Sequence, residues 1–412
     1  MKPVLKAFKY RIYPAKEQSN FLDRNFGAVR YLWNKFVASF NNYGKGPCLP
    51  QDEKIIKDLE GNEWMSGVIS YALQQKRMDW MEYKKQFFSK NRKSKLGRPS
   101  FKKRGVSNDA FRLPGQSLGF NKCIDLKCGK IKLPKMTSIK IVIDRPFVGQ
   151  LKSVTVSKNK SNQYFVSILV EEPIELKQNT GLSIGIDLGL KDLCIMSNGM
   201  KIQNPKWFRK TQAKLKKAQR AFSRKEKGSK RREKAKLRVA KLHNKVVNQR
   251  KFVYHVLSYW LVSNYDTIIM EDLNVAGMIK NRKLSKSIQD ASWSTLVSMI
   301  KYKSNWYGKT FHQIDRWFPS SKTCSCCGHK VDKEDMHLGI REWTCPSCNT
   351  NHDRDLNAAV NILNEGLFDL YSLTSEELSD YRYRESLRPK VEIPKADSLK
   401  CLVSFIDFYK TT

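Results

Sequence analysis

The stretch CPSCNTNHDRDLNAAVNI, residues 345–362, joins a metal-binding pattern to the start of a helix. Cys345 and Cys348 stand at the two-residue spacing that lets both thiolates face one metal ion. Asp355 follows in a run with apolar residues at helical spacing. The face of this helix that can pack closely against a sheet consists of Ala358, Ala359, Ile362 and Leu363. The sequence therefore predicts a metal knuckle that leads directly into a buried, acid-bearing helix.

A second cysteine pair upstream completes the metal-binding pattern. Cys324 and Cys327, with Cys345 and Cys348, form CxxC-x17-CxxC, which offers four thiolates to one tetrahedral structural zinc ion. A closed four-sulfur shell has no position for a substrate, so the zinc is expected to build structure. Cys326 is a competing ligand, and free thiols are the alternative for the whole set. Redox catalysis is not expected, because no thioredoxin-like context surrounds the pairs.

The residue after each cysteine pair also suits a tight turn. Gly328 follows the first pair and Asn349 follows the second. Glycine and asparagine tolerate positive φ better than other residues. We therefore expect a left-handed backbone at both positions.

Two further acids end apolar, strand-like runs. Asp187 lies in SIGIDLG, and Glu271 ends TIIME. A buried acid is costly unless it pairs or binds a cation. The acids of these two strands can converge with Asp355, on the helix, in one cluster. Such carboxylates suit Mg²⁺. Two Mg²⁺ ions about 3.5–4 Å apart can support phosphodiester hydrolysis.

Alternatives remain for each acid. Asp187 beside a glycine is also typical of a turn or cap, and GIDLG resembles the phosphate loop of sugar kinases and actin-like ATPases. Asp272 and Asp353 compete with Glu271 and Asp355. Strand alternation directs Asp272 away from Glu271, and the position of Asp353 favours a helix cap.

The charge of the chain limits its partners. Among 412 residues, 77 Lys and Arg oppose 39 Asp and Glu, which gives a net charge of +38. Such a field attracts polyanions, so nucleic acid is the leading partner. A membrane surface is the weaker alternative, because the sequence contains neither a signal-peptide core nor a run of about 20 apolar residues. We expect a cytoplasmic protein of several domains, with 40% hydrophobic residues to form their cores.

Basic residues concentrate in two segments. Residues 209–251 contain 19 Lys and Arg and two Glu, which predicts helices interrupted near Gly228. A solvated surface helix pair is the alternative, but charge of one sign at this density favours a cradle for a phosphate backbone. The connector NRKSKLGRPSFKKRG, residues 91–105, is basic as well. The candidate backbone contacts in the two segments are Lys102, Lys103, Arg104, Arg224, Lys225, Arg231 and Arg232.

The amino-terminal half predicts a strand, a helical insert and a β-rich unit. AFKYRIYP alternates like a strand and ends at Pro14, and two helical patterns follow. Beyond the basic connector, short runs rich in β-branched residues indicate a small barrel or sandwich that also recruits the first strand. Farther on, Asn198-Gly199 predicts a hairpin turn.

These motifs, in order, resemble those of a known family. GIDLG, IIMEDLNV, CSCCG, CPSC and HDRDLNAAVNI, with FKYRIYP, GAVRYLWN and GRPSFKKR near the start, are similar to the TnpB family of insertion-sequence proteins. That family comprises RNA-guided DNA nucleases related to compact type V CRISPR effectors. The resemblance covers roughly residues 1–366.

The resemblance implies an α/β multidomain fold: an RNase H-like (RuvC) nuclease domain with an inserted zinc ribbon, and an N-terminal β-barrel (wedge) domain carrying a helical recognition insert. The expected domains are the barrel at 1–14 and 100–178, the recognition insert at 15–99, the nuclease at 179–315 and 350–366, the ribbon at 316–349, and an unassigned tail at 367–412.

The resemblance also implies the site residues and partners. The catalytic acids fall on Asp187, Glu271 and Asp355, which would bind two Mg²⁺, and one Zn²⁺ would be bound by the four cysteines of the CxxC pairs. The partners would be a guide RNA from the transposon end and double-stranded target DNA beside a short motif, with a monomer favoured. Residues on the insert helices that would contact the motif or heteroduplex, or else pack in the core, are Tyr31, Trp33, Tyr71 and Gln74.

The leading hypothesis is therefore an RNA-guided, Mg²⁺-dependent DNA endonuclease. The alternative within the family is a guided DNA-binding repressor without useful cleavage. A third hypothesis, an ATP-binding enzyme of the actin-like class, would explain neither the zinc pattern nor the charge of +38.

Overall fold

A computed structural model describes most of the chain. The described residues are 2–43, 65, 67–89, 96–119, 123–125, 128–332 and 339–372. The chain divides into two compact units, Met1–Ile174 and Glu175–Thr412. Both contain helices and sheets, and the sheet of the second unit is mixed, so the α/β class is confirmed. The sequence predicts free thiols at Cys48 and Cys401, and these two residues and the tail from 373 onward lie outside the described residues.

The first unit is built on an antiparallel sheet. Its strands are β1 (Lys2–Tyr13), β2 (Asp109–Pro114), β3 (Ile124–Asp125), β4 (Lys130–Ile131), β5 (Ile139–Val142), β6 (Gln150–Lys158) and β7 (Tyr164–Ile174). They pair in the order β2-β6-β7-β1-β5-β4-β3. The amino-terminal strand thus lies inside the sheet of the later β-rich segment, as the sequence predicted. Closure of this sheet into a barrel stays a prediction.

Two helices of the first unit pack through aromatic side chains. They are α1 (Lys16–Tyr43) and α2 (Ser70–Phe88). Trp80 of α2 is buried and stacks on Phe36 of α1, with ring centroids 5.4 Å apart. Leu22 and Phe26, nearer the start of α1, pack instead with the sheet. The helical pattern in the sequence therefore produced a helix pair whose first helix also covers part of the sheet.

The second unit contains a five-stranded mixed sheet. Its strands are β8 (Ser183–Asp187), β9 (Asp192–Met196), β10 (Lys201–Gln203), β11 (Thr267–Glu271) and β12 (Thr310–Ile314), in the order β10-β9-β8-β11-β12. The strands β8, β11 and β12 are mutually parallel, whereas β9 is antiparallel to both β8 and β10. Gly199, at φ +86°, lies in the β9–β10 turn, which confirms the predicted hairpin.

Helices cover both faces of this sheet. The unit contains α3 (Trp207–Ser223), α4 (Lys230–Asn264), α5 (Val275–Met278), α6 (Ser285–Ala291), α7 (Trp293–Tyr307) and α8 (Arg354–Ser372). One face packs against α4 and α7 through Ile268 and Met270 of β11, and the other packs against α8 through Ile269. Gly228, at φ +88°, separates α3 from α4, as the sequence predicted. No helix among the described residues has the length and apolar character needed to cross a membrane.

A small hairpin precedes α8. Its strands, β13 (Glu342–Thr344) and β14 (Asn351–Asp353), pair antiparallel, and α8 begins at the residue after β14. Cys345 and Cys348 lie between the two strands. The stretch at 345–362 therefore forms a cysteine turn, a short strand and the first half of α8. The finer domain boundaries predicted from the sequence stay predictions.

Candidate functional site

Three acids lie at one edge of the mixed sheet. Met270 of β11 pairs in register with Ile186 of β8, so the next residues, Glu271 and Asp187, end neighbouring parallel strands side by side. Because strand side chains alternate, Asp187 shares the face of Gly185, and Glu271 shares the face of Ile269. All four residues lie on the one face of the sheet that packs against α8.

The third acid reaches this edge because α8 approaches β8 very closely. A Cβ added to Gly185 would lie 2.2 Å from the carbonyl oxygen of Ala359 and 2.6 Å from the backbone nitrogen of Leu363. Only glycine allows such an approach. Asp355 lies in the first turn of α8, four residues before Ala359, and its charge acts on Asp187.

The electrostatics indicate that the three carboxylates interact. The pKa of Asp187 is raised to about 7, first by burial and then by the charges of Glu271 and Asp355. The backbone N–H of Leu188 and the charge of Arg354 act in the opposite direction. Burial also raises the pKa of Glu271, although the Ser320 hydroxyl, which donates to its carboxylate, lowers it. Clustered acids with raised pKa values are typical of cation-binding and catalytic sites.

An arginine that the sequence interpretation missed pairs with the third acid. Arg341 Nη1 lies 3.1 Å from Asp355 Oδ2 and 3.3 Å from Oδ1.

The three carboxylates are spaced more widely than the cysteines: in the described part of the chain, the four cysteines are the group whose ligand atoms all lie within 4.8 Å of one another. No sequence signal marked Arg341 or Ser320, because neither belongs to a metal-ligand pattern.

The competing acids have other partners. Asp272 accepts a hydrogen bond from the Arg316 guanidinium, and its carbonyl accepts another from Arg316 Nε at 3.1 Å. Asp353 Oδ1 accepts from the backbone N–H groups of Asp355 and Leu356 at 3.1 and 3.0 Å, which confirms the predicted helix cap. Their geometry gives both acids structural roles.

The four cysteines converge on one point. Cys324 Sγ lies 3.6 Å from Cys348 Sγ, and Cys327 Sγ lies 3.6 Å from Cys345 Sγ. Tetrahedral zinc with Zn–S bonds of about 2.3 Å requires sulfur atoms roughly 3.8 Å apart, so the group fits zinc. Cys326 is exposed and outside the group.

The surroundings of the cysteines also suit a metal. Gly328 has φ +78° and Asn349 has φ +56°, which confirms the predicted left-handed backbone after each pair. Hydrogen bonds to the side chain and backbone of Thr350 lower the pKa of Cys348 to about 6, which favours its thiolate, whereas burial raises the pKa of Cys324 to about 12, so that thiol must lose its proton as a metal binds. His352 Nε2 lies 3.0 Å from Cys324 Sγ, and the two residues are buried. His352 can therefore support that sulfur from outside the four-cysteine shell.

Buried asparagines attach the cysteine region to α8. Asn357 Oδ1 accepts from the backbone N–H of Ser325 at 2.9 Å, and its Nδ2 donates to the Thr323 carbonyl at 2.8 Å. Asn361 Nδ2 donates to the carbonyls of Thr323 and Ser320 at 2.6 and 2.8 Å. The helix with Asp355 is thereby fixed to the first cysteine knuckle and to the residue that bonds Glu271.

The predicted nucleic-acid contacts of the first unit are partly exposed. Tyr31 and Tyr71 are 36% and 44% exposed, and Gln74 is exposed as well. Trp33 packs edge-to-face against Trp80, and its Nε1 donates to the Ser100 carbonyl at 3.0 Å, so part of this side chain is structural.

Some of the predicted basic contacts are also exposed, and others are partly buried. Lys103 and Arg104 are exposed, whereas Lys102 is half-buried and lies 4.3 Å from the centre of the Trp33 ring. In the second unit, Arg232 Nη1 donates to the carbonyl of Lys225 at 2.5 Å and closes the turn between α3 and α4. Arg224, Lys225 and Arg231 are exposed.

Three family profiles match the chain. Residues 165–282 match a profile described as a probable transposase, OrfB of IS605. Residues 293–362 match a Cas12f1-like TNB domain. Residues 1–45 match a profile described as a helix-turn-helix domain, although here they form the strand Lys2–Tyr13 and the single helix Lys16–Tyr43.

Known proteins match over nearly the full chain. A Streptomyces pristinaespiralis protein named "Putative RNA-guided DNA endonuclease" is 38% identical, and the match covers 89% of this chain and 90% of that protein. The Escherichia coli K12 protein "Putative RNA-guided DNA endonuclease InsQ" is 30% identical, with 88% and 92% covered. A Cas12f1–sgRNA–target DNA complex determined by cryo-EM matches with a TM-score of 0.49 and 16% identity, covering 87% of this chain and 98% of that one. On the sequence relationships, the chain belongs to the TnpB family, as its motifs indicated.

Proposed function

We propose that this protein is an RNA-guided DNA endonuclease that cleaves double-stranded DNA beside a short target-adjacent motif. Two relatives that cover most of the chain carry the names "Putative RNA-guided DNA endonuclease" and "Putative RNA-guided DNA endonuclease InsQ". The observation that carries the proposal is the placement of Asp187 and Glu271 at the ends of neighbouring strands with Asp355 in the first turn of α8, where burial, followed by the charges of Glu271 and Asp355, raises the pKa of Asp187.

The three carboxylates would bind Mg²⁺, because a cation relieves their repulsion and their oxygen atoms are the ligands that Mg²⁺ prefers. Two bound ions would activate water and stabilise the leaving oxygen in phosphodiester hydrolysis. Ser320 orients Glu271 through its hydroxyl, and Arg341 brings positive charge beside Asp355. The mixed sheet and the packing of α8 on it support a RuvC-like, RNase H-type assignment for the second unit.

The zinc ribbon and basic surfaces would serve the same function. One Zn²⁺ bound by the four cysteines would hold the ribbon that precedes α8. The exposed cations of α3 and α4 would neutralise guide RNA and heteroduplex phosphates. Base pairing with the guide would then select the target.

The test uses neighbouring acids as a matched pair. The protein is purified from cells that express its native locus, the bound RNA is sequenced, and a plasmid that matches it beside a randomised flank is incubated with the complex and Mg²⁺. Wild type and Asp272→Asn should cut, whereas Glu271→Gln and Asp187→Ala should lose cleavage by several orders of magnitude and still bind target DNA.

Each contrary outcome has a distinct meaning. Substantial cutting by Glu271→Gln or Asp187→Ala would contradict the catalytic assignment. Specific binding by wild type without cleavage would favour the guided repressor. A preparation that carries no RNA would contradict guidance itself.

A further inference from the structure

The turn after β12 presents an unusually exposed tryptophan. Trp317 is 85% exposed, more than any other large hydrophobic side chain in the described part of the chain. An indole can bury 150–250 Å², roughly, so its exposure to water forgoes a large hydrophobic gain. Such a side chain is available to a partner with a flat apolar surface.

The turn that carries Trp317 is well ordered. The Trp317 backbone N–H donates to Asp315 Oδ1 at 2.7 Å, and the Phe318 N–H donates to the Asp315 carbonyl at 3.2 Å. Phe318 packs against the apolar cluster that contains Ile269 and Ile314. The backbone that carries the indole is therefore fixed, so binding has to order only the side chain of Trp317.

This turn borders the acid cluster. Ile314, at the end of β12, pairs in register with Glu271, and Ser320 donates to the Glu271 carboxylate. Along the chain, Trp317 thus lies between Ile314 and Ser320, the two residues that contact Glu271. It also borders an open cleft of about 530 Å³, whose lining residues are Asp272, Gln313, Ile314, Asp315, Arg316 and Trp317.

We propose that Trp317 stacks on an unpaired base of the DNA strand beside the phosphodiester to be cut. This inference rests on the proposed nuclease function. Among the charged side chains that line the cleft, Asp272 and Arg316 neutralise each other and Asp315 adds a negative charge, so a strand is better held there through an uncharged base face than through its phosphates. Aromatic stacking is sequence-tolerant, because every base has a π face. It therefore suits an enzyme whose target sequence is selected by base pairing with a guide.

The binding test places 2-aminopurine singly at successive positions of both strands across the guide-matched target and its flank, in guide-loaded complexes that carry Asp187→Ala so that the strand stays intact. Stacking on an indole quenches the fluorescence of this base. We expect quenching at one or two adjacent positions, its loss in Trp317→Ala and its partial retention in Trp317→Phe. Tyr371→Ala is the control, because Tyr371 is also exposed in the second unit, at 53%, but lies near the far end of α8.

The kinetic test uses the intact acids. In single-turnover cleavage, Trp317→Ala should cut about 5- to 150-fold more slowly, in line with the usual strength of base–aromatic stacking. Its melting temperature should be unchanged, because the removed side chain is exposed. Trp317→Phe should recover most of the rate, whereas Tyr371→Ala should cut as wild type does.

The outcomes separate this inference from the proposed function. If wild type cuts with Mg²⁺ and Trp317→Ala shows the same rate and the same quenching, the stacking role is wrong and the nuclease stands. If Trp317→Ala changes only the oligomeric state, the tryptophan contacts protein and the inference is also wrong. If wild type does not cut but Trp317-dependent quenching is present, the strand contact stands and the nuclease proposal fails.

Discussion

Replacement of Gly185 by alanine tests the link between the packing of α8 and the acid cluster. The new Cβ would meet the Ala359 carbonyl oxygen at 2.2 Å and the Leu363 nitrogen at 2.6 Å, and both atoms belong to the backbone of α8. No side-chain rotation can relieve these contacts. The helix must move away from β8 by about 1 Å to restore ordinary van der Waals distances. Asp355 belongs to the same helix and would move with it.

The size of the effect follows from that clash. Overpacking typically costs about 1–3 kcal/mol, and the upper part of that range applies because backbone must shift. A loss of about 2–3 kcal/mol lowers the melting temperature of a unit of this size by roughly 5–10 °C. Below that temperature the folded variant should still cut about 100-fold more slowly, because a displacement near 1 Å misplaces a catalytic group. Thermal melts and single-turnover cleavage at low temperature measure the two effects separately.

Two other glycines provide matched controls. An added Cβ at Gly366 would meet Cγ2 of the buried Ile269 at 2.3 Å, farther along α8 from Asp355 than Ala359 is, so Gly366→Ala should also destabilise the fold but should slow cleavage less than Gly185→Ala does. An added Cβ at Gly97 meets nothing within 4 Å, so Gly97→Ala should melt and cut as wild type does. Equal melting temperatures and cleavage rates for wild type and Gly185→Ala would refute the argument.

Three other predictions concern charge and metal. The pKa of Asp187 is raised from 3.8 to about 7 on folding, so ionisation of this carboxyl group destabilises the fold. The stabilisation by Asp187→Asn, measured by thermal melts without added divalent ions, should therefore grow from pH 4 to pH 7 and then level off. A difference in stability that does not change with pH would contradict the shift. His352→Ala should weaken zinc binding by about 10- to 100-fold in competition with a chromophoric chelator, whereas His329→Ala, at an exposed histidine of the same ribbon, should not. Arg250 Nη2 lies 3.0 Å from the buried Asp290, so Arg250→Ala should lower the unfolding free energy by about 3–5 kcal/mol, and a loss below about 1 kcal/mol in denaturant titration would contradict a buried ion pair.

Much of the fold could be predicted from local patterns. Alternating apolar residues indicated β1, helical spacing indicated α1, and Asn198-Gly199 and Gly228 marked turns that the structure contains. The strand at 310–314 was not predicted. Its sequence, TFHQI, is half polar and only its last residue is buried, as expected of a strand at the edge of a sheet. Its position depends on parallel pairing with β11, which no local signal reveals.

The residues of the candidate site were likewise predicted only in part. Cysteine spacing predicted the four thiols that the structure brings together, because metal ligands occur at offsets that the ion itself constrains. The three acids were predicted from the cost of a carboxylate in or beside an apolar run, and their catalytic role stays a prediction. Arg341, Ser320 and His352 were missed because their contacts depend on how distant elements pack.

The position of the zinc ribbon has a physical consequence for the acids. The second cysteine pair ends only a few residues before α8, and Asn357 and Asn361 bond that helix to carbonyls of the first knuckle. A zinc ion bound by the four cysteines would therefore fix the start of α8 from both sides, while the close contact at Gly185 sets the distance of α8 from the sheet. Asp355 lies where these two constraints meet. An insertion between the second and third acids can thus position the last carboxylate, provided that it folds around a metal and stays attached to the helix that follows.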